Sequence, residues 1–439
     1  MCEIERQDAL FLLRRTLGHV KLVFALRTGP CFLSNRLDQY DDQQRKTASH
    51  ILNVCFEETA WLHATLPIIS GGIGLQRVSR LALAGFMAGT GSSARSVDML
   101  IHDVKENLLL SQADELYTTS VPGDSYKQCI SMAKLRENLS ASDKKSLSSK
   151  VPSRRETAWI LCVTSDEAAM AFSAVPSVAA NARLSDEAVR VAVAMRLGAP
   201  VGIACPCQCG SELDDLKDHA NCCKRGAACF ARHSAVNNII ADSLRSKELP
   251  VRLEPCGLNR ADGKRPDGKT LTAFENGLHL VWDATIRHPL ARSNVPTSLR
   301  SHAASALAAE ESKDNKYSFL SGKAIVAAAA VETLGAFGPS ANFLVKRITR
   351  WQRRSGSGPS LYSRNRLTRA IVCAEFEGNA ACVLDAYSRA QNERPTPPDG
   401  KRPLPRGAPL PHTSPMHVRP TQAGASFPHC LICRLNLIS

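Results

Sequence analysis

Apolar positions along the first hundred residues recur at helical spacing. Leu10, Leu13, Leu17, Val20 and Val23 form one such series, and Ile51, Val54, Phe56 and Leu62 form a looser second one. Pro67 and the Gly71-Gly72-Ile73-Gly74 step break the pattern, and Val78, Leu81, Leu83 and Phe86 resume it. Residues 120–157 are rich in Ser and Lys and poor in large apolar side chains, which predicts a connector of short helices. Helical spacing returns over 185–197 (Ala188, Val191, Val193, Leu197) and leads into a stretch dense in cysteine.

Beyond about residue 232 the period changes. Val236, Ile239, Ile240 and Leu244 make one more helical face, and Val251 and Leu253 begin a strand. Leu278, Leu280 and Trp282 alternate with His279, Val281 and Asp283, which is the period of two expected for a strand. A helix over 299–317, an apolar run at 324–333 and helices over 340–354 and 365–388 follow. That order predicts a mixed α/β unit after an α-helical N-terminal region. The segment 320–331 is low in complexity, which marks its strand as open to decay. Residues 391–439 hold ten of the chain's 24 prolines and little periodicity, and predict a disordered tail.

Composition narrows the partners. The 439 residues are too many for one small core, so two or three domains are expected. A formal charge of +14 favours polyanions, nucleic acid first and an acidic membrane surface second. Glu3, Glu5, Arg6, Asp8, Arg14 and Arg15 interrupt the N-terminus, so no secretory signal is expected. The longest apolar run, Ala324 to Val331, falls well short of the roughly 20 residues that span a bilayer. An intracellular protein, nuclear or cytoplasmic and without a membrane partner, is therefore expected. Its 16 cysteines suit a reducing compartment, and six of them cluster between Cys205 and Cys229, which points to metal.

Cys207, Cys209, His219 and Cys223 give Cys-x-Cys-x9-His-x3-Cys, a four-ligand set for structural zinc with Gly210 fitting the turn. Cys205 and Cys222 are spare ligands, and buried, unligated cysteines are the rival reading. Asp267, at the end of an Arg-Pro-Asp turn, and Asp283, in the β-patterned run, are two carboxylates suited to Mg²⁺ or Mn²⁺. Such an ion activates water and neutralises charge on a phosphodiester. A turn aspartate and a strand-end aspartate with structural roles describe the pair equally well. Lys313 and Tyr317, four apart on the following helix, would share a face, with Lys313 as the charge-stabilising residue and Lys316 as its fallback. Glu254 would add a third carboxylate. Arg232, His233 and Arg265 are the expected nucleic-acid contacts, the first two near a helix N-terminus. Tyr40-Asp41-Asp42 has the residues of a polymerase metal motif but lies in a polar helical flank, so it is set aside. Cys430 and Cys433, with His429, lack a second ligand pair and are set aside too.

Together, CQCGSELDDLKDHANCC, RH, RLEPCGLNRADGKRPDG, LVWDAT, AEESKDNKY and ETLGAFGP resemble the C-terminal part of non-LTR (LINE-type) retrotransposon reverse transcriptases. The branch concerned carries a zinc knuckle and a restriction-like, PD-(D/E)xK endonuclease after the polymerase. Upstream, LRTGPCFLSNRLDQYD and LPIISGGIGLQ are similar to the thumb of those polyproteins and its helical extension. The resemblance covers most of residues 20–388 in the expected order. It implies a thumb-like region over 1–110, a helical connector over 111–200 and a knuckle over 201–230. An endonuclease over 231–355, a C-terminal helix over 356–390 and the tail over 391–439 would follow. It implies zinc at Cys207, Cys209, His219 and Cys223, and Mg²⁺ or Mn²⁺ at Asp267 and Asp283. Lys313 and Tyr317 take the auxiliary positions, Arg232 and His233 lie near the DNA path, and DNA is the partner with element RNA as a further one. Two departures matter. PD-(D/E)xK nucleases expect lysine where Thr285 stands, and the polymerase fingers and palm are missing. The expected protein is thus a truncated or domesticated fragment, or a gene model of the element's 3′ part. It would nick DNA without synthesising it, or bind nucleic acid through a vestigial nuclease fold.

Overall fold

The computed structural model describes residues 4–98, 108–122, 131–150, 153–246, 248–256, 265–354 and 363–392. The helical half opens with α1 (Arg6–Leu12), α2 (Val23–Thr28), α3 (Arg36–Leu52), α4 (Glu58–Thr65) and α5 (Val78–Asp98). Next come α6 (Leu108–Ser120), α7 (Met132–Ser149), α8 (Arg154–Cys162), α9 (Asp166–Ser173) and α10 (Asp186–Leu197). The expected helix through Leu10–Val23 is interrupted at Gly18, and Leu17 and Val20 are exposed. Asp41, set aside as a polymerase ligand, accepts from the Val78 (2.7 Å) and Ser79 (3.1 Å) amides and so caps α5. The connector holds a longer helix than expected. In α7, Leu135 and Leu139, one turn apart, pack with Tyr117 onto Phe86 and Met87 of α5, and that narrow stripe suffices.

A short hairpin, β1 (Cys205–Pro206) and β2 (Glu212–Leu213), precedes α11 (Ala227–Arg245). A four-stranded sheet follows, with β3 (Val251–Leu253), β4 (Gly268–Thr270), β5 (Leu280–Arg287) and β6 (Ile325–Glu332) in that spatial order. The first three strands run antiparallel, and β6 is parallel to β5, paired from Leu280↔Ile325 to Arg287↔Glu332. A parallel neighbour needs a crossover, which α12 (Val295–Ser298) and α13 (Ala304–Lys316) supply before α14 (Pro339–Arg354) and α15 (Arg364–Asn392).

Alternation along the strands sends side chains to two helical layers. Trp282, Ala329 and Val331 meet Val236 and Ile240 of α11 and Leu344 and Ile348 of α14. On the other face, Ala330 meets Ala306 and Ala309 of α13, and Val281 meets Tyr317 and Leu320. The alanine run of β6 thus has a packing reason, since small side chains let helices close on both faces. One buried cluster extends from Leu10 to Val383 and includes helices of the N-terminal half, Leu213 of the hairpin with Ala220 after it, and the sheet. Helix α15 packs on α9, α10, α11 and α14. Gly378 permits its approach to α11, because a Cβ there would stand 2.2 Å from Arg232 Cγ. No helix among the described residues is long and apolar enough to cross a membrane. The expected tail, with His429, Cys430 and Cys433, lies outside the described residues except for its first two residues, which end α15.

Among the buried carboxyl groups of this core, Glu332 and Glu375 keep oxygens without a hydrogen-bond partner. Glu332 Oε1 accepts from the Ala306 amide (3.1 Å), while its Oε2 and both oxygens of Glu375 are buried without a hydrogen-bond partner. Burial pushes the Glu332 carboxyl from 4.5 up to about 7. It pushes Glu375 well above the ordinary range, with the Arg232 charge opposing and Glu332 adding to the rise. A raised carboxyl leaves stability intact below its unfolded value and removes it as pH rises toward the folded one. Stability should therefore fall between about pH 4.5 and 7, with Glu332 contributing roughly 3 kcal/mol at about 1.4 kcal/mol per pKa unit. Glu332→Gln should flatten that slope. Urea midpoints at pH 5 and pH 8 measure it, and an unchanged slope would contradict the assignment.

Candidate functional site

Two groups of polar side chains converge among the described residues. In the first, Cys207, Cys209, His219 and Cys223 bring their donor atoms within 4.8 Å of one another. The Cys207 and Cys223 sulfurs stand 3.7 Å apart, close to the about 3.8 Å edge of a tetrahedron built on Zn–S bonds of 2.3 Å. Cys209 Sγ lies 2.9 Å from His219 Nε2. The Cys207–Gly210 turn is closed by a bond from the Gly210 amide to the Cys207 carbonyl (2.9 Å), and Gly210 takes φ 88°, which favours glycine. Hydrogen bonds from Ser211 hold the Cys209 thiol down to about 6, favouring the thiolate a metal needs. Composition and size both suit zinc, and four protein donors leave no open position. Cys205 and Cys222, the spare candidates, point elsewhere. Cys205 receives the Lys217 ammonium at 3.7 Å, and Cys222 is exposed, its thiol bonded to the Asp218 carbonyl at 3.6 Å.

The cluster is fastened to the body beside His219. Asp218 accepts from Arg155 of α8 at 2.5 and 2.9 Å and lies 3.1 Å from His288 Nε2 at the end of β5. Burial would raise this carboxyl, but His288 and Arg155 together hold it below the ordinary range.

The second group lies where β4 meets β5. The register pairs Gly268 with Trp282, so Asp267 and Asp283 follow as the next residues on adjacent strands. Asp283 turns to α13, while the Asp267 side chain meets His233 of α11. Asp283 is 3% exposed. Its Oδ1 takes the Lys313 ammonium at 2.6 Å, and its Oδ2 takes Lys316 at 3.2 Å and the Tyr317 hydroxyl. Burial pushes this carboxyl up, but the hydrogen bonds of Lys313 and Tyr317 and the two lysine charges outweigh it and hold the group below the usual value. Lys313 and Lys316 are therefore both at the site, and Tyr317, at the C-terminal end of α13, is 1% exposed. Asp267 Oδ2 accepts the Ala284 amide at 2.6 Å and lies 3.1 Å from His233 Nε2. That hydrogen bond raises the His233 pKa against its burial, with the Asp267 and Asp283 charges adding to the rise.

Several expected contacts lie elsewhere. Arg232, expected on the DNA path, is 4% exposed and bonds Asn379 Oδ1 (2.6 Å) and the Asn221 carbonyl (2.8 Å). Its guanidinium ties α15 to the Cys/His segment and cannot reach a phosphate. Glu254, the suggested third carboxylate, turns outward to pair with Arg265 at 3.0 Å, and both side chains are exposed. Thr285, where the resemblance expects a lysine, has its Oγ1 buried without a hydrogen-bond partner. Asn237 is an addition. One turn after His233 on α11, it accepts from Trp282 Nε1 (2.6 Å) and bonds the Asp267 carbonyl at 3.5 Å. A polar residue on the apolar face of α11 was its only sequence signal.

Gly268 explains why glycine follows Asp267. A Cβ there would sit 2.0 Å from the Trp282 ring. Gly268→Ala should destabilise by roughly 1–3 kcal/mol through overpacking and displace Asp267. A denaturant melt checks the first expectation, and an unshifted midpoint would contradict it.

No family model matches the chain. Over 387 residues it is 24% identical to the retrotransposable element SLACS 132 kDa protein of Trypanosoma brucei gambiense. This likeness supports a retrotransposon-related origin. The match takes in 85% of this chain but only 28% of that protein, so the chain spans less than a third of the relative's length.

Proposed function

We propose that the sheet and its flanking helices form a restriction-endonuclease-like module that nicks DNA for a retroelement. The observation that carries this reading is the convergence on one buried carboxylate. Asp283 gathers Lys313, Lys316 and Tyr317 from a helix, beside Asp267 on the adjacent strand. The element order α11–β3–β4–β5–α13–β6, with Pro266-Asp267 entering the second strand and Asp283 inside the third, supports it. Asp267 and Asp283 would hold Mg²⁺ or Mn²⁺, which suits two carboxylates with water and phosphate completing the shell. When bound, such an ion supplies charge neutralisation on phosphate and a more acidic water.

The chain's own side chains do the rest. His233 and the Ala284 amide fix Asp267 through Oδ2. Lys313 and Lys316, partly exposed, offer positive charge to a phosphate at Asp283. Arg265, outside the site, suits a backbone phosphate along the path. The Cys/His cluster would carry structural zinc and hold α11, and with it His233. The missing lysine at Thr285 favours a second reading, a nucleic-acid-binding protein with a vestigial nuclease fold. Supercoiled plasmid incubated with the protein and Mg²⁺ or Mn²⁺ separates them. Nicking that disappears in Asp267→Ala supports the first reading. Salt-dependent binding without nicking supports the second.

A further inference from the structure

Among the described residues outside the two groups above, one pair of thiols stands in contact. Cys229, in the first turn of α11, and Cys382, in α15, have their sulfurs 3.5 Å apart, and Cys382 is 3% exposed. An S–S bond of about 2.05 Å lies roughly 1.5 Å closer. The close approach is built into both helices. Gly378 precedes Cys382 by one turn and lies against Arg232, which follows Cys229 by three residues, so the two contacts stack along one helix–helix seam. Arg232 locks that seam through Asn221 and Asn379.

We propose that Cys229 and Cys382 are a redox modification site, closing a reversible disulfide under hydrogen peroxide that latches α15 to α11 beside the Cys/His cluster. Cys229 is the attacking thiol. The hydrogen bond from Cys382 holds it down to about 6 against its burial, and the Arg232 guanidinium adds to that. Cys382 is pushed up, by that bond and by burial, and stays protonated until its partner reacts. In the first step the Cys229 thiolate attacks a peroxide oxygen and the O–O bond breaks, giving Cys229 sulfenic acid and, with a proton, water. In the second, the Cys382 sulfur displaces the sulfenic oxygen as water, and its proton leaves with it. Two thiols lose two electrons in all, and one peroxide gains them to become two waters. Single buried thiols such as Cys373, pushed up to about 12 by burial, lack both the thiolate and the partner.

The test uses the full chain with its metal in place. After treatment with one equivalent of hydrogen peroxide and alkylation, a non-reducing digest is read by mass spectrometry. The expected product is a peptide joining Cys229 to Cys382, two hydrogens lighter than the separate pair, released by dithiothreitol, with zinc content unchanged. In Cys382→Ala, Cys229 should stop at the sulfenic acid and take up dimedone more than the native chain does. If both thiols stay alkylatable, or if Cys229 joins Cys222 or Cys223 with loss of metal, the proposal is overturned. Dimedone labelling no higher in the variant would overturn it as well. None of these readouts depends on nuclease activity.

Discussion

Cys209→Ser protein is expected to carry well under half the metal of the native chain, which should hold about one zinc by its four-donor set. Serine offers a harder, far less acidic donor, and three remaining ligands leave the tetrahedron open. Binding energy for structural zinc is also folding energy, so the loss should spread beyond the turn. The spread has a route. Leu213 and Ala220 lie within the main buried cluster, and Asp218 next to His219 joins Arg155 of α8 to His288 beyond β5. Releasing that joint leaves His288 and Arg155 without their shared carboxylate. A melting temperature lowered by several degrees, with a similar drop when a chelator is added to native protein, is the expected pattern. Metal content equal to that of the native chain in Cys209→Ser would refute the ligand set.

Asp283 should show the second large effect, and two substitutions separate its roles. Asp283→Ala removes the partner of two ammonium groups and a buried phenol at once. Breaking a buried pair costs roughly 3–5 kcal/mol, and the remaining exposure of Lys313 and Lys316 (27% and 24%) puts this case at the lower end. Asp283→Asn keeps the volume and an acceptor for the Tyr317 hydroxyl, so it should fold with a smaller loss. Both should nick plasmid at least about a hundredfold more slowly, as expected when several kcal/mol of charge stabilisation disappear. Native-like nicking by a folded Asp283→Asn would sink the catalytic reading and leave the carboxylate as a structural partner of α13.

Much of this was legible in the sequence where a local rule sufficed. The spacing of Cys207, Cys209, His219 and Cys223 anticipated the cluster that the chain forms. The alternation at Leu278–Asp283 marked β5, although the strand begins at Leu280 and runs on to Arg287. Helical spacing between Lys313 and Tyr317 put them on one side of α13. Long-range burial was what the sequence could not declare. The Arg-His pair that the sequence suggests for a helix start lies in the second turn of α11, because the helix begins at Ala227. Such a pair reads the same whether its arginine faces solvent or, as Arg232 does, is spent on Asn221 and Asn379. The Asp267–His233 contact joins residues 34 apart whose meeting depends on the packing of α11 against β5. The Ser- and Lys-rich look of 120–157 hid α7, because Leu135 and Leu139 were enough to dock it.

The position of α15 at the end of the described chain has a consequence for how the protein is made. Its apolar face covers α9, α10 and α11, which leave the ribosome long before it. At about 5–20 residues per second, the interval between completing α9 at Ser173 and α15 at Asn392 is roughly 10–40 seconds. For most of it, Phe172 and Ala192 wait without the Phe376 and Val383 side chains that later complete their cluster. A nascent chain stalled before residue 364 would therefore present an open apolar seam to chaperones and proteases, whatever chemistry its sheet supports.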